Sequence, residues 1–272
     1  MDEATLSQRL GVPVTVFEST PDTSAYLRRE ARDGAPHGTF AVANELTAAR
    51  GRSGDGWAAP PGGVWSSTLL YPEFGPEHVG RLTFAAGVAV AEAARSFGVD
   101  AALKWPNDVV VEREGTMKLA GVLTEAVVDA VPVAGKPVDE ALDDPGELEC
   151  VVLGVGVNAD LDPADLDTDR AVTTVRAETG GAVDREEVAA RMHDRLLDRA
   201  ARAETDEGFA AVLDDWRELS VTLDQPVRVE LGTDETLVGT ATDVDATGAL
   251  LVETEAGRKR VTEGDCETLR RR

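Results

Sequence analysis

Four short apolar stretches between residues 101 and 157 constrain the fold of this chain more than any other feature. They follow one another along the sequence, at residues 101–105, 109–111, 118–127 and 148–157. Short apolar runs that are separated by turn-forming or charged segments are typical of β-strands. We therefore expect a sheet in this region.

Other predicted elements surround this sheet. Apolar residues at helical spacing over residues 77–97, followed by Gly98, predict the clearest helix of the chain. Further strands are predicted at 14–17, 39–44 and 64–70, and further helices at 22–32, 185–203 and 207–219. The glycine- and arginine-rich segment 49–56 has no periodicity and is predicted to be a loop. The segment 128–147, rich in proline and aspartate, is predicted to be an exposed excursion.

The pattern changes after Gln225-Pro226. Short alternating runs follow, separated by turn residues, which indicates a small closed barrel or sandwich. A chain of 272 residues accommodates one large domain with a small appendage. We place the boundary near residue 222, which gives domains at 1–222 and 223–272.

The chain is strongly acidic. Asp and Glu number 51 against 27 Lys and Arg, which gives a formal net charge of −24. Such a surface repels nucleic acid, because binding to phosphates relies on basic side chains. Lysine is scarce and occurs at positions 104, 118, 136 and 259 alone. Excess carboxylate with little lysine is typical of a halophilic, haloarchaeal-like protein, whose charge keeps it hydrated in salt. An ordinary acidic protein is the alternative.

The sequence does not indicate a membrane protein, a secreted protein or a metal-binding protein. No apolar run approaches the roughly 18 residues that span a bilayer, and the N-terminus has no basic stretch before an apolar core. We expect a soluble, cytoplasmic protein. The two cysteines and three histidines are scattered, without the spacing of zinc ligands or of a disulfide framework. A catalytic Cys–His pair is a less favoured alternative to purely structural roles.

The first candidate site segment is residues 50–57. Its glycines free the backbone to wrap around a ligand, and Arg50 and Arg52 supply guanidinium groups for phosphate or carboxylate. Trp57 is suited to stack on a ring or to pin the loop. The alternative is a flexible surface turn.

The second candidate is a pair of segments at strand ends, residues 104–108 (KWPND) and 118–125 (KLAGVLTE). Lys118 is unusual inside an apolar strand of a chain that otherwise uses arginine. A lysine acts on phosphates as a point charge, whereas an arginine binds them as a fork. The alternative is a surface lysine that pairs with an acid such as Glu125.

The third candidate is residues 154–158 (GVGVN). It begins like a dinucleotide-binding fingerprint, but that motif needs a helix next, and the following Asp-Leu-Asp-Pro is a poor helix start. Two glycines after a buried strand still suit the close approach of a ligand. Asn158 has an amide that could read a base edge.

Taken in order, these segments resemble the biotin protein ligase family. The arginine- and glycine-rich loop with its tryptophan precedes KWPND, KLAG and GVGVN, and the pair KWPND and KLAG is highly specific. The resemblance runs from about residue 14 to the end. It implies an α+β fold, with a mixed or antiparallel sheet flanked by helices in a class II synthetase-like catalytic domain, and a small C-terminal SH3-like β-barrel. It also implies two half-reactions: biotin and ATP form biotinyl-adenylate, and a lysine then attacks it.

The resemblance also implies roles for individual residues. The loop of Arg50, Gly51 and Arg52 would close over biotin and the adenylate. Lys118 would bridge the biotin carboxylate and the α-phosphate, which makes Lys118 and Arg52 the expected catalytic residues. The expected biotin-binding residues are Asp22, Thr23, Ser24, Leu46, Arg50, Gly51, Arg52, Trp57, Lys118 and Gly121. The expected ATP-binding residues are Arg50, Trp57, Asn107, Lys118 and Asn158.

The chain departs from the family pattern in the biotin pocket. Asp22, Thr23 and Ser24 stand where the family has Ser-Thr-Asn, and only Thr23 matches. Leu46 replaces a biotin-contacting glutamine, and Ala49 replaces a glycine. A missing polar partner costs about 1–3 kcal/mol where a ligand group is buried unpaired. These departures bear on the biotin pocket more than on the nucleotide site.

The resemblance also names the reactants and partners. They are biotin, ATP, Mg²⁺ and the biotin carboxyl carrier domain of a carboxylase. Some family members add an N-terminal helix-turn-helix and act as repressors. Only 13 residues precede the first predicted strand here, too few for such a domain, so we expect no direct nucleic-acid partner. Because no apolar run is long enough to span a bilayer, we also expect no membrane partner. The residues leave homodimer formation open.

Two other functions compete with a ligase. The substitutions at Asp22, Ser24 and Leu46 also fit a relative that senses biotin or its adenylate with weak ligase activity. A lipoate- or octanoate-attaching ligase on the related fold is the other alternative, and KWPND argues against it. Measuring ATP-dependent pyrophosphate release with biotin, and then with lipoate instead of biotin, distinguishes the three functions.

The charge of the chain leads to a prediction about salt. We expect the melting temperature to rise steeply between low salt and molar KCl, because the Debye length at 1 M is only about 3 Å and carboxylate repulsion is then screened. Thermal melts across that range measure the effect. A melting temperature that does not change with salt would contradict the halophilic interpretation.

Overall fold

Two β-sheets and seven helices make up the described part of the chain. The structure is a computed structural model that describes residues 1–52, 54, 56–231 and 235–269, without the side chain of Asp139. Ser53 and Asp55 of the predicted loop lie outside the described residues. The helices are α1 Glu3–Leu10, α2 Thr23–Arg32, α3 Gly80–Arg95, α4 Val138–Ala141, α5 Val175–Thr179, α6 Arg185–Arg202 and α7 Asp206–Leu219.

The larger sheet contains eight strands. They are β1 Val14–Thr20, β2 Phe40–Leu46, β3 Val64–Leu70, β4 Ala101–Lys104, β5 Asp108–Glu112, β6 Thr116–Val128, β7 Val131–Ala134 and β8 Leu148–Val157. Their order is β1-β2-β3-β8-β6-β5-β4, and β7 pairs with β6. β1 and β2 are parallel, whereas the other pairs are antiparallel. The expected mixed sheet is confirmed.

Helices cover the larger sheet on both faces. Successive side chains of a strand point to opposite faces, so Phe40 and Val42 pack in the core formed with α3, α6 and α7, while Ala41 packs with Leu27 of α2. α2 begins after Asp22, whose carboxylate accepts a hydrogen bond from the amide of Ser24. This side-chain cap satisfies a free amide at the helix start. No helix among the described residues is long and apolar enough to cross a membrane.

The smaller sheet follows α7. Its strands are β9 Pro226–Glu230, β10 Thr236–Val244, β11 Leu250–Thr254, β12 Gly257–Val261 and β13 Asp265–Thr268, in the antiparallel order β12-β11-β10-β9-β13. The predicted small C-terminal β-domain is confirmed as an antiparallel sheet. The boundary near residue 222 stays a prediction.

Trp105 of the KWPND motif joins the two sheets. Its ring is 1% exposed, and its indole nitrogen donates to the carbonyl of Gly248 at 3.1 Å. Its main-chain amide donates to the hydroxyl of Thr222 at 2.9 Å. A buried tryptophan with both donors satisfied fixes the position of the smaller sheet. The motif therefore has a structural role besides any role in a site.

Several elements were not predicted. α1 has a single buried residue, Leu6, so it shows no apolar periodicity, although Asp2 caps it and Gly11 ends it in the left-handed conformation. α4, α5 and β7 are too short for a periodic signal. The prediction that residues 128–147 form an exposed excursion is wrong in part. β7 extends the larger sheet, and Val133 and Val138 are buried in its core because they pack against apolar neighbours.

The buried His193 predicts a pH dependence of stability. It is 0% exposed, its Nε2 lies 3.0 Å from the carbonyl of Gly38, and it packs against Phe40. Burial lowers the pKa of His193 below its ordinary value, and the Gly38 carbonyl opposes this effect. As the pH falls below about 6.5, His193 is therefore protonated in the unfolded chain at a higher pH than in the folded chain.

Relative to His193→Gln, which cannot titrate, we expect the parent to lose melting temperature between pH 7 and pH 5, because protonation of His193 favours the unfolded state over that range. His78→Gln, at a half-exposed histidine, is the matched control and should keep the slope of the parent. Equal slopes in the parent and His193→Gln would show that His193 does not contribute.

Candidate active site

One cavity collects every predicted site residue. It has a volume of about 590 Å³ and lies on the face of the larger sheet that α2 covers. Residues from β2, β3, β6, β8, the N-terminal end of α2 and the loop before β3 line it. The predicted site residues on its wall are Asp22, Thr23, Ser24, Leu46, Arg50, Gly51, Arg52, Trp57, Asn107, Lys118, Gly121 and Asn158.

Glycines leave the floor of the cavity bare of side chains. Gly156 pairs with both Trp65 and Gly121, and Gly154 pairs with both Ser67 and Leu123. A Cβ atom on Gly156 would lie 3.3 Å from the indole nitrogen of Trp57, and one on Gly154 would lie 3.3 Å from the hydroxyl of Ser24. The two glycines of GVGVN therefore let other groups approach the strand closely.

A register shift points Lys118 into the cavity. By strand alternation Lys118 would share the helix-facing side of β6 with Ala120 and Val122. Val109 pairs with Ala120, but Val110 pairs with Lys118, so one residue of β6 is skipped. Such an irregularity re-aims a side chain. The Lys118 side chain consequently lies over Gly121, with its Nζ 3.4 Å from where a Cβ of Gly121 would be.

Two neighbours hold the Lys118 ammonium in place. Nζ lies 2.5 Å from a carboxylate oxygen of Asp108 and 4.6 Å from the centre of the Trp57 ring, and the side chain is 11% exposed. The alternative partner, Glu125, instead forms an ion pair with Arg28. Of the alternative set against a functional Lys118, pairing with an acid such as Glu125, the structure has an acid partner, but it is Asp108 and the pair lies at the cavity wall.

The described residues of the loop before β3, at 49–52, 54, 56 and 57, line one side of the cavity. The main chains of Arg50 and Gly56 form an isolated antiparallel β-bridge, and the amide of Trp57 donates to the carbonyl of Ala49 at 3.0 Å. Arg52 donates to the carbonyl of Gly264, in the turn between β12 and β13, at 2.5 Å. Arg52 thus ties the loop to the C-terminal domain, while its role toward a ligand stays a prediction.

The two asparagines use their amide nitrogens on the protein itself. Asn158 is 1% exposed and donates to the carbonyl of Thr173 at 3.0 Å, while its Oδ1 accepts no hydrogen bond from the residues described. Asn107 donates to the carbonyl of Val122 at 2.6 Å and holds the β4–β5 turn against β6. Asn158 therefore retains a buried acceptor at the cavity wall.

Hydroxyl groups line the end of the cavity at α2. The Ser67 hydroxyl lies 2.8 Å from that of Thr23 and 2.9 Å from that of Ser24, and all three residues are buried. Ser67 was not predicted as a site residue. The available signal was the polar triplet Ser66-Ser67-Thr68 inside an otherwise apolar strand that is buried along its whole length.

Arg28 also lies at the cavity wall and was not indicated by the sequence, whereas Glu125 ends the candidate segment 118–125 but was given no role there. Their side chains form an ion pair at the cavity wall, with 22% and 9% exposure. Burial raises the pKa of Glu125, and the Asp22 carboxylate raises it further, while Arg28 and Ser24 lower it. Arg28 and Glu125 are 97 positions apart in the sequence, so no local pattern reveals this pair.

The cysteines lie apart from this cavity. Cys150 and Cys266 are buried free thiols outside its wall, and burial raises the pKa of each to about 11. Such thiols are protonated at neutral pH and are poor nucleophiles. Among the described residues, no cluster of three or more His, Cys, Asp or Glu side chains is suited to hold a metal ion.

Comparison with known proteins places the chain in a family. A model of the biotin/lipoate A/B protein ligase family matches residues 16–135, and a model of the biotin protein ligase C-terminal domain matches residues 222–269. The biotin–[acetyl-CoA-carboxylase] ligase of Mycobacterium tuberculosis is 32% identical over 262 residues, which cover 94% of this chain and 88% of that protein. The chain belongs to the biotin protein ligase family.

Other relatives agree with this placement. The bifunctional ligase/repressor BirA of Bacillus subtilis is 29% identical over 257 residues, which cover 93% of this chain and 72% of that protein. The biotin protein ligase of Aquifex aeolicus, solved in complex with biotin and ATP, superposes with a TM-score of 0.74 at 24% identity and covers 94% of this chain and 99% of that one. The superposition on the Aquifex aeolicus structure shows that the two chains share a fold.

Leu46 is a departure from the biotin protein ligase pattern that the structure explains locally. It ends β2 and packs in an apolar cluster with Trp57 and Trp65 at the cavity wall. An amide at this position would contact the same two rings. The wall of this family member is therefore built around an apolar side chain.

This packing predicts the effect of restoring the family residue. We expect Leu46→Gln to weaken biotin binding about tenfold, or roughly 1.4 kcal/mol, because the amide loses apolar contact and meets the two rings. Isothermal titration calorimetry measures the change, with the isosteric Leu46→Met as the control that keeps an apolar wall. Tighter binding in Leu46→Gln would contradict a pocket built around leucine.

Proposed function

We propose that this chain activates biotin with ATP to form biotinyl-adenylate, and then transfers biotin to a lysine of a biotin carboxyl carrier domain. The observation that supports this most is the Lys118 ammonium, held by Asp108 and Trp57 above the glycine floor of the cavity. A fixed positive charge at this point suits a reaction that brings two anions together.

The first half-reaction follows from this charge. A carboxylate oxygen of biotin attacks the α-phosphorus of ATP, a new P–O bond forms, and the bond to the β-phosphate oxygen breaks. Pyrophosphate leaves with Mg²⁺, which enters as the metal complex of ATP. The Lys118 ammonium offsets the repulsion between carboxylate and phosphate, and its effect grows as charge develops on the phosphoryl oxygens.

The second half-reaction uses the mixed anhydride formed in the first. The ε-amine of a carrier lysine attacks the acyl carbon, an amide bond forms, and AMP leaves as the C–O bond of the anhydride breaks. The amine loses a proton in this step. The loop before β3, whose described residues line the cavity, would keep the adenylate from water until the carrier arrives.

The two ends of the cavity match the two ends of biotin. The Lys118 ammonium lies over Gly121, which pairs with Gly156, whereas the hydroxyl of Ser24 lies over Gly154, two residues away on β8 or about 7 Å at ~3.3 Å per residue. Biotin has a carboxylate at one end and a polar ureido ring at the other. We place the carboxylate at Lys118 and the ring at the hydroxyls of Thr23 and Ser24.

Asn158 provides a position for adenine. Its Oδ1 is a buried acceptor without a partner among the described residues, and adenine carries an amino group that donates. Because its amide nitrogen is already used on the carbonyl of Thr173, the side chain cannot rotate freely. We therefore place the adenine at Asn158, beside Lys118, whose main-chain carbonyl accepts from the same amide at 3.3 Å.

The cavity argues against the lipoate alternative. Lipoate carries an apolar dithiolane ring, which cannot exchange hydrogen bonds with the hydroxyls of Thr23, Ser24 and Ser67, whereas the ureido ring of biotin can. The sensing alternative shares the cavity with the ligase and differs only in turnover. The held Lys118 ammonium favours turnover, because binding alone does not need a charge at the acyl group.

Replacing Lys118 tests the proposal. We expect Lys118→Gln to reduce ATP- and biotin-dependent pyrophosphate release by a hundred- to a thousandfold, because one preorganised electrostatic contact is worth about 2.7–4 kcal/mol in a transition state. Glutamine keeps the length and a hydrogen-bonding group but loses the charge. Continuous pyrophosphate detection on variants with a cooperative thermal melt measures the effect.

Two controls accompany this substitution. Lys259→Gln makes the same change at an exposed lysine of β12 and should keep the parent rate. Lys118→Arg keeps the charge and should retain more activity than Lys118→Gln. Pyrophosphate release by folded Lys118→Gln within threefold of the parent rate would rule out the catalytic role.

A further inference from the structure

The guanidinium of Arg52 lies between two main-chain carbonyls. Its Nη2 donates to the carbonyl of Gly264 at 2.5 Å, and its Nη1 lies 3.5 Å from the carbonyl oxygen of Gly135, at the long end of the hydrogen-bonding range. A carbonyl has no net charge, so these two partners hold the guanidinium without neutralising it. The positive charge of Arg52 is therefore retained at the cavity wall.

Gly135 also packs against the main chain of Arg52. Its φ is +73°, in the left-handed region that favours glycine. A Cβ atom at position 135 would overlap the carbonyl oxygen of Arg52 and would lie 2.9 Å from its Cγ atom. A side chain at this position would therefore displace the loop before β3. Glycine meets both requirements, the conformation and the close approach.

The larger sheet and its core fix the position of Gly135. It directly follows β7, which pairs with β6, and its amide donates to the carbonyl of Thr124 at 3.4 Å. Val133 and Val138, on either side of it in sequence, are 6% and 3% exposed and pack in the core. We call residues 131–138 the β7 segment. Because this segment is anchored on both sides of Gly135, it provides a fixed support for whatever contacts Gly135.

We propose that the β7 segment, through Gly135, positions Arg52 and the loop before β3 at the cavity, and that this contact slows the escape of the adenylate between the two half-reactions. The inference rests on the proposed function, which supplies the adenylate. A loop that the protein already holds loses less conformational freedom when it closes on a ligand. Gly135 acts through Arg52 and is therefore a positioning residue.

Pyrophosphate release in the absence of a carrier domain provides the test. After the first half-reaction the adenylate occupies the cavity, and without a carrier the next turnover waits until the adenylate leaves. Product release then limits the steady-state rate. A variant that holds the loop less firmly should release pyrophosphate faster than the parent. General damage to the fold or to the site should instead slow the reaction, so the direction of the change distinguishes positioning from a purely structural role.

We expect Gly135→Ala to raise the carrier-free rate of pyrophosphate release about tenfold, which corresponds to ~1.4 kcal/mol of lost stabilisation of the bound adenylate. Gly11→Ala is the matched control. Gly11 has a φ of +67°, lies at the exposed end of α1, and has no atom within 4 Å of where its Cβ would be. The control therefore introduces similar backbone strain without the contact, and its rate should stay within twofold of the parent.

Two further variants complete the experiment. Gly135→Asn adds the same Cβ atom with less strain, because asparagine tolerates the left-handed conformation better than alanine. It should also raise the rate, and it keeps the test valid where Gly135→Ala lacks a cooperative thermal melt. In an Arg52→Ala background, Gly135→Ala should change the rate less than twofold, because residues that act through one contact are not additive.

Three outcomes overturn the inference. Folded Gly135→Ala and Gly135→Asn with rates equal to or below that of the parent refute the role of Gly135, while pyrophosphate release by the parent leaves the proposed function standing. An equal rise in Gly11→Ala shows an effect of backbone strain instead. Full additivity of Gly135→Ala with Arg52→Ala shows that Gly135 does not act through Arg52. A parent that releases no pyrophosphate with ATP and biotin contradicts the proposed function as well.

Discussion

A one-residue register shift between β5 and β6 is the constraint on which the cavity depends. Without it, strand alternation would point Lys118 toward α3, in line with Ala120 and Val122. With it, the ammonium lies over Gly121, between Asp108 and the Trp57 ring. The sheet thus places one fixed positive charge on a face from which glycines have removed other side chains.

Two hydrogen bonds connect the C-terminal domain to elements of the cavity wall. The indole of Trp105, in the β4–β5 turn, donates to the carbonyl of Gly248. The guanidinium of Arg52, in the loop before β3, donates to the carbonyl of Gly264. Both acceptors are main-chain carbonyls in turns of the C-terminal domain, Gly248 just before β11 and Gly264 just before β13. Arg52 therefore connects the loop before β3 to that domain.

The sequence predicted the elements whose signal is local. Strands β5, β6 and β8 and helix α3 have clear apolar patterns, and KWPND, KLAG and GVGVN converge on one cavity. The register shift that points Lys118 into the cavity is decided by pairing with β5, which no single stretch encodes. The Arg28–Glu125 pair and the contact of Ser67 with Thr23 join residues far apart in sequence. Such contacts become visible only when the strand order is known.

Transfer of labelled biotin to a carrier domain tests the central claim most directly. The chain, ATP, Mg²⁺, labelled biotin and a folded biotin carboxyl carrier domain are mixed, and the labelled residue is located by mass spectrometry. The account predicts label on one carrier lysine, dependent on ATP and absent when that lysine is replaced by arginine. Tight biotin binding without ATP-dependent label on the carrier would contradict it and would identify a binding protein on the same fold.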